Sequence, residues 1–207
     1  DGARVEAGQS LLSITGNARA ILAGERTALN LVQHLSGIAS LTARYVAALA
    51  GTQAKLLDTR KTLPLYRGLA KYATALGGAQ NHRMGLYDAV LIKDNHIAVA
   101  GTLTEAVRLC RDAGHGEIEV ECDTLAQVRE AIDAGATRLL LDNMSLEELR
   151  QAVGIAKGLV SLEASGGVTL ETIRAIAQTG VDYISVGAAL TLSAPAMDIG
   201  LDYAALT

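Results

Sequence analysis

The chain has 207 residues and a formal charge of -4; half of its residues are hydrophobic, only 3% are aromatic, and it has neither Phe nor Trp. A mildly acidic chain whose only aromatic residues are six Tyr gives no basis for general nucleic-acid binding, and no apolar run reaches the roughly 18 residues that cross a bilayer. Cys110 and Cys122 lie in apolar surroundings and read as reduced packing residues of a cytoplasmic protein, not as a disulfide or metal site.

In chain order, the first residues are Asp1-Gly2 with no Met, and an N-terminal piece is expected to precede them. Residues 5–22 alternate in polarity like paired strands, with Gly16-Asn17 as the turn. Residues 25–49 place Leu29, Val32, Leu35, Ile38 and Tyr45 at helical spacing, which predicts a long amphipathic helix. Beyond Ala54, β-rich runs at 54–59, 89–93, 117–122, 138–142, 160–164 and 183–187 read as strands. The helical periods at 104–112, 125–134, 146–156 and 170–178 are each followed by a glycine. Thr124, Ser145 and Thr169 stand at N-cap positions, and Ser145 with Glu148 forms a capping box. Units recurring every 20 to 24 residues or so suit a (β/α) barrel, and six strands make it an incomplete one.

The polar residues gather where strands end. Asp58-Thr59-Arg60-Lys61, Lys93-Asp94-Asn95-His96, Glu121, Asp142-Asn143, Ser165-Gly166-Gly167 and Gly187-Ala188 follow or close six successive strands. Strand C-termini of such a barrel share one face, and that face holds the active site. Arg60, Lys61, His82, Arg83 and Lys93 form a cationic mouth in a net-negative protein, which calls for an anionic substrate, carboxylate or phosphate. The small-residue turns at Gly166-Gly167 and Gly187-Ala188 follow the last two strands, where barrels bind phosphate on bare N–H groups. Glu121 and Asp142 suit ribose hydroxyls and a metal-bound pyrophosphate, or else ion pairs with Arg60 or Lys93. His34 and His115 lack such a context.

The stretches Asp58-Thr59-Arg60-Lys61-Thr62-Leu63-Pro64, Asn81-His82-Arg83-Met84-Gly85-Leu86, Leu91-Ile92-Lys93-Asp94-Asn95-His96, Glu119-Val120-Glu121, Leu141-Asp142-Asn143, Glu163-Ala164-Ser165-Gly166-Gly167 and Ser185-Val186-Gly187 resemble the quinolinate phosphoribosyltransferases, over nearly the whole chain and in order. The resemblance implies an α/β fold: an incomplete TIM-like barrel with fewer than eight strands over residues 25–193, the remnant of an N-terminal α/β sandwich domain over 1–24, and a tail over 194–207 returning toward that domain. It implies transfer of a phosphoribosyl group from 5-phosphoribosyl-1-pyrophosphate to quinolinate with loss of CO2, in NAD biosynthesis, with Mg2+ as cofactor and a cytoplasmic homodimer as the working form. By the same resemblance quinolinate meets Arg60, His82, Arg83 and Lys93, with Arg26 reaching the neighbouring subunit's site, and Thr59 belongs to the substrate-binding set. Lys61 and Lys93 are shared with the donor, and Glu121 and Asp142 serve the ribose and the metal. Lys61, Lys93, Glu121 and Asp142 form the catalytic set. Ser165, Gly166, Gly167, Val186, Gly187 and Ala188 hold the 5-phosphate.

The chain departs from the family pattern at Leu65-Tyr66, where a glycine is expected after Pro64, and at Ala79. Leucine resists the positive φ that glycine permits, so the first departure bears on loop shape. The competing readings are a paralogous transferase acting on another acid, such as nicotinate, and a non-catalytic phosphosugar-binding barrel.

Overall fold

The computed structural model describes residues 1–203. Its elements run α1 (Ala18–Ala48), β1 (Lys55–Leu57), α2 (Arg67–Leu76), β2 (Val90–Ile92), α3 (Asp94–Ala100), α4 (Leu103–Asp112), β3 (Ile118–Cys122), α5 (Leu125–Ala134), β4 (Arg138–Asp142), α6 (Leu146–Ala156), β5 (Ser161–Ser165), α7 (Ile173–Ala177), β6 (Tyr183–Ser185) and α8 (Ala188–Thr191). The βα alternation is laid down by side chains that stop one period and start the next. Thr124 and Ser145 each accept a hydrogen bond from the N–H three residues on, while Gln127 and Glu148 return the bond to the cap. Gly135 ends α5 in the left-handed conformation.

All five strand pairs are parallel, in the order β1-β6-β5-β4-β3-β2. The outer strands β1 and β2 do not pair with each other, so the sheet is an unclosed barrel wall. Among the described residues only Gln80 extends it, through a single parallel bridge to Leu57. Alternation along each strand divides the side chains. Ile118, Val120 and Cys122 of β3, Leu139 and Leu141 of β4, and Leu162 and Ala164 of β5 join the buried apolar cluster. The alternate residues Glu119, Glu121, Arg138, Asp142, Glu163 and Ser165 face the other way, into the barrel lumen. With Leu140 as the apolar exception, the polar residues at these alternate positions are therefore a property of the lumen, not an interruption of the core.

The helix α1 crosses the barrel's flank, burying Gly37, Ile38, Thr42 and Tyr45. The tail packs on it: Met197 N–H donates to Gln33 O at 3.0 Å and Gln33 Nε2 to Ile199 O at 2.8 Å. Residues 204–207 of the tail expected over 194–207 lie outside the described residues. Among the described residues no helix is long and apolar enough to cross a membrane.

Three expectations change. Residues 5–22 form no strand pair. Asn17 is not a hairpin turn but the N-cap of α1, its side chain accepting from Ala20 N at 3.2 Å, so the helix begins seven residues before Glu25. Asn favours both roles, and helix propagation beyond it decides between them. The helix expected from Leu170 starts at Ile173, because the Thr169 hydroxyl accepts from Thr172 N in a local turn first. Finally, α2, α3 and α8 have no counterpart in the sequence reading.

Candidate active site

The strand tips form one mouth. Behind it, Asp58, the residue after β1, is fully buried and all its acceptor positions are used. Oδ1 takes Lys71 Nζ at 2.5 Å and the His82 N–H at 2.8 Å; Oδ2 takes the Thr74 hydroxyl at 2.8 Å and Asn81 Nδ2 at 2.7 Å. This fixes Thr59-Arg60-Lys61 on one side and His82-Arg83 on the other. The Arg60 Nε is buried without a protein partner. Burial, most of all, and then the neighbouring Arg60 guanidinium lower the pKa of Arg83, while Glu119 and Asp88 act the other way. A bound anion would offset the repulsion between the two guanidinium groups.

Lys93 forms an ion pair with Glu121, the alternative that the sequence left open for this carboxylate. At the end of β4, Asp142 Oδ2 accepts from Asn143 Nδ2 at 2.6 Å, leaving its other oxygen for a hydroxyl or a hydrated cation. Asn143 adopts a positive φ of 54° and its N–H donates to Ser165 O at 2.9 Å, tying the β4 and β5 tips together. Gly166 has φ +99° and a Cβ there would stand 2.1 Å from Asn143 Oδ1, so only glycine fits. The amides of Gly166, Gly167, Gly187 and Ala188 have no backbone partner among the described hydrogen bonds. Val186 differs: its N–H donates to Leu57 O at 3.0 Å, so the free donors of that turn begin at Gly187. Gly187 is pressed against Thr59 and Lys61, and the Thr191 hydroxyl bonds Lys61 O, which places Lys61 beside the phosphate turn.

Beneath the mouth lie two glutamates that the sequence reading quoted without a role, set against His82, which it counted among the mouth's cations. His82 Nε2 sits 3.3 Å from Glu119 Oε2 and 3.5 Å from Glu163 Oε2, with Arg138 Nη1 4.0 Å from Glu163 and stacked 4.1 Å over the Tyr183 ring. Burial opposes a charge on His82, but the adjacent carboxylates of Glu119 and Glu163 outweigh it and push its pKa up to about 9. Burial likewise raises the pKa of Glu119. His82 Nδ1 accepts the Arg83 N–H at 2.7 Å, so in this geometry the proton belongs to Nε2 and the two carboxylates together. Glutamates at alternate positions of apolar strands, as in Ile118-Glu119-Val120-Glu121, were the available signal.

Arg26 is not brought to this mouth. Its side chain is 70% exposed and its ion pair, at 4.0 Å, is with Glu25. It stands eleven residues before Gly37, where α1 first buries a residue, or about 16 Å along the helix axis. Cys110 and Cys122 are free thiols, and burial raises the pKa of both, Cys122 to about 12, so neither offers a nucleophile. A cavity of about 1060 Å³ lies toward the opposite strand ends, against Val90, Ile118, Arg138 and Ser161, and reaches the strand-tip residues at Arg83 and His96 and the layer beneath them at Glu119 and Arg138. The strand-tip cations, and not this larger space, define the chemistry.

Residues 38–202 match the family model for the quinolinate phosphoribosyl transferase C-terminal domain, and residues 1–36 match that for the N-terminal domain. The chain is 48% identical over 206 residues to the nicotinate-nucleotide pyrophosphorylase [carboxylating] of Mycobacterium leprae, covering 98% of this chain and 72% of that one. A probable enzyme of the same name from Bacillus subtilis is 47% identical over 204 residues, with 98% and 70% covered. Among solved structures, NadC from Streptococcus pyogenes superposes with a TM-score of 0.90 at 44% identity, over 96% of this chain and 70% of that one. The nicotinate-nucleotide pyrophosphorylase from Francisella tularensis gives 0.85 at 48%, over 88% and 65%. Sequence, fold and mouth thus agree, and the chain belongs to the quinolinate phosphoribosyl transferase family.

Proposed function

We propose that this enzyme transfers the phosphoribosyl group of 5-phosphoribosyl-1-pyrophosphate to quinolinate, releasing pyrophosphate and CO2 and forming nicotinate mononucleotide for NAD biosynthesis. The observation that carries the reading is the neighbouring pair Arg60 and Arg83, with Lys61 and Lys93, at one strand-tip mouth. Two carboxylates on adjacent ring carbons need several cations held apart by a rigid frame, and Arg meets each with a forked pair of donors. Once they are held, the ring nitrogen is directed at the anomeric carbon.

The N–C bond forms as the bond to pyrophosphate breaks, through an oxocarbenium-like state that Glu121 and Asp142 stabilise electrostatically. Their carboxylates also accept the ribose hydroxyls. Lys61 and Lys93 neutralise the departing pyrophosphate. The 5-phosphate rests on the free amides at Gly166, Gly167, Gly187 and Ala188, beside Ser165 and Val186. In the product of that step the ring nitrogen is cationic, so the carboxylate next to it leaves as CO2 and its bonding pair stays in the ring until a proton replaces it. Neither cysteine is needed.

Hard carboxylate oxygens at two neighbouring strand tips fit Mg2+, which binds one or two carboxylates plus phosphate oxygens, and the unpaired oxygen of Asp142 suits it better than Glu121, which Lys93 already occupies. When bound with the donor, the ion offsets negative charge on the leaving group. The exposed Arg26, remote from its own mouth, serves the site of a second copy in a homodimer, and the enzyme works in the cytoplasm.

The deciding experiment measures pyrophosphate release with the donor and either quinolinate or nicotinate. Release with quinolinate but not nicotinate is expected. Equal release with nicotinate would transfer the assignment to another acid, and none with either would leave a binding barrel.

A further inference from the structure

The Asp58 knot contains three residues that no functional reading has used. Lys71 and Thr74 lie on α2 and are 1% and 0% exposed; Asn81 precedes His82. A lysine with so little access to water is costly to bury unless its charge is compensated. Here the compensation is complete: Lys71 Nζ reaches Asp58 Oδ1 at 2.5 Å and His82 O at 2.8 Å. Asn81 Nδ2 also reaches Lys71 O at 2.9 Å and Thr74 Oγ1 at 3.2 Å.

The network has a direction. Asp58 belongs to the arm that continues as Thr59-Arg60-Lys61, whereas His82 gives both its N–H and its carbonyl to the knot and begins the arm that continues as Arg83. Apart from the backbone bonds through Gln80, the described links between these arms run through the knot. We propose that Lys71, Thr74 and Asn81 are positioning residues, which lock the Arg60 arm to the His82-Arg83 arm at the spacing that a dicarboxylate requires. The role rests on the quinolinate reading of the mouth. It assigns α2, a helix with no residue at the mouth, a share in acid recognition.

The geometry also explains why the lock is polar. An apolar contact would fill the same space in many side-chain arrangements, but a carboxylate with four donors converging on it has one. Because one arm is a short irregular segment after β1 and the other follows the lone bridge residue Gln80, neither is fixed by ladder hydrogen bonds of its own beyond Asp58 and Gln80.

The test compares Thr74→Val, which keeps the shape and removes the donor to Asp58, with Thr74→Ser, which keeps the donor. Thr74→Val is expected to raise the KM for quinolinate about tenfold, the factor that one lost hydrogen bond to a buried charge is worth. Its kcat is expected to stay within about threefold, and Thr74→Ser to return KM to near the parent value. Amide exchange at 59–61 and at 82–83 should accelerate together, while β4 is unchanged. A lower melting temperature with parental KM and with faster exchange confined to α2 would overturn the proposal, since that is the signature of a merely structural bond. Should the parent chain turn over no quinolinate, the activity assignment would fall, but exchange in the two arms would still decide whether the knot couples them.

Discussion

Replacing Gly187 by alanine probes how closely the phosphate turn and Lys61 must approach. Gly187 has φ -97° and ψ -103°, outside the helical and extended regions. The effect is local: the added Cβ would stand 2.8 Å from Thr59 Oγ1 and 2.9 Å from Lys61 Cδ. Normal contact needs about 0.5 Å or more of extra room. Thr59 Oγ1 now accepts the Lys61 N–H at 3.0 Å, so turning that hydroxyl aside removes a bond worth about 0.5–1.5 kcal/mol. An off-rotamer Thr59 adds about 0.5–1.5 kcal/mol. Together these predict a stability loss of about 1–3 kcal/mol, or roughly 2–10 °C in melting temperature for a chain of this length. Activity should suffer more, because a displacement approaching 1 Å in a positioned group costs up to about a hundredfold. Thermal denaturation and steady-state pyrophosphate release, each against Gly154→Ala, separate the two. Gly154 lies in α6 with nothing within 4 Å of an added Cβ, so that variant reports alanine substitution without a clash. If Gly187→Ala keeps kcat/KM for the donor within twofold of the parent, Lys61 does not need the position the structure gives it.

Arg83→Ala should weaken quinolinate binding by about 2–5 kcal/mol, the cost of truncating one partner of a desolvated charge pair, and calorimetric titration with quinolinate checks it. Parental affinity would refute its role. For pH, His82 is raised from 6.5 to about 9, so the stability its proton contributes is fully present below pH 6.5 and is lost as pH rises through 9. Quinolinate KM is expected to be flat through neutrality and to climb near pH 9, and Glu163→Gln should bring that climb to lower pH; an unmoved profile would separate His82 from the glutamates. For the dimer, equal mixing of Arg26→Ala and Arg83→Ala chains should restore about a quarter of parental activity, since half the random dimers are mixed and each of those has one intact shared site. No recovery after subunit exchange would confine Arg26 to its own chain or to no site. Leu65→Gly should raise the melting temperature, because Leu65 holds φ 61° with its side chain fully exposed and so carries strain of about 1–2 kcal/mol with no packing in return.

The elements visible in the sequence are those whose own residues specify them. β4, α5 and α6 fall on their expected residues because Arg138-Leu139-Leu140-Leu141-Asp142 is a short apolar run and Thr124, Gly135 and Ser145 mark the helix ends nearby. α2 was not legible because Lys71 and Thr74 face inward while Leu69, Tyr72 and Leu76 stay exposed. Lys71 and Thr74 on an isolated helix read as solvent-facing, and only Asp58, thirteen residues from Lys71, gives them a reason to be buried. α3 was hidden by its first residues, Asp94-Asn95-His96, which drew the eye as a strand tip. The site was legible further than the fold's beginning, since strand ends converge in any parallel barrel whatever the loops do. What strand-tip reasoning could not supply was the layer below. Glu163 becomes meaningful only when register sets β5 beside β6 and brings His82 across from a segment far away in sequence.

The missing pairing between β1 and β2 has an architectural consequence. A complete ring of staves leaves room only for layered aliphatic side chains, and an ionised group inside would be stranded. Leaving one stave out, with Gln80 as a single-residue remnant, lets a polar loop enter from the side and set an imidazole against two carboxylates. The breach in the wall thus creates the interior in which opposite charges can be kept close and dry.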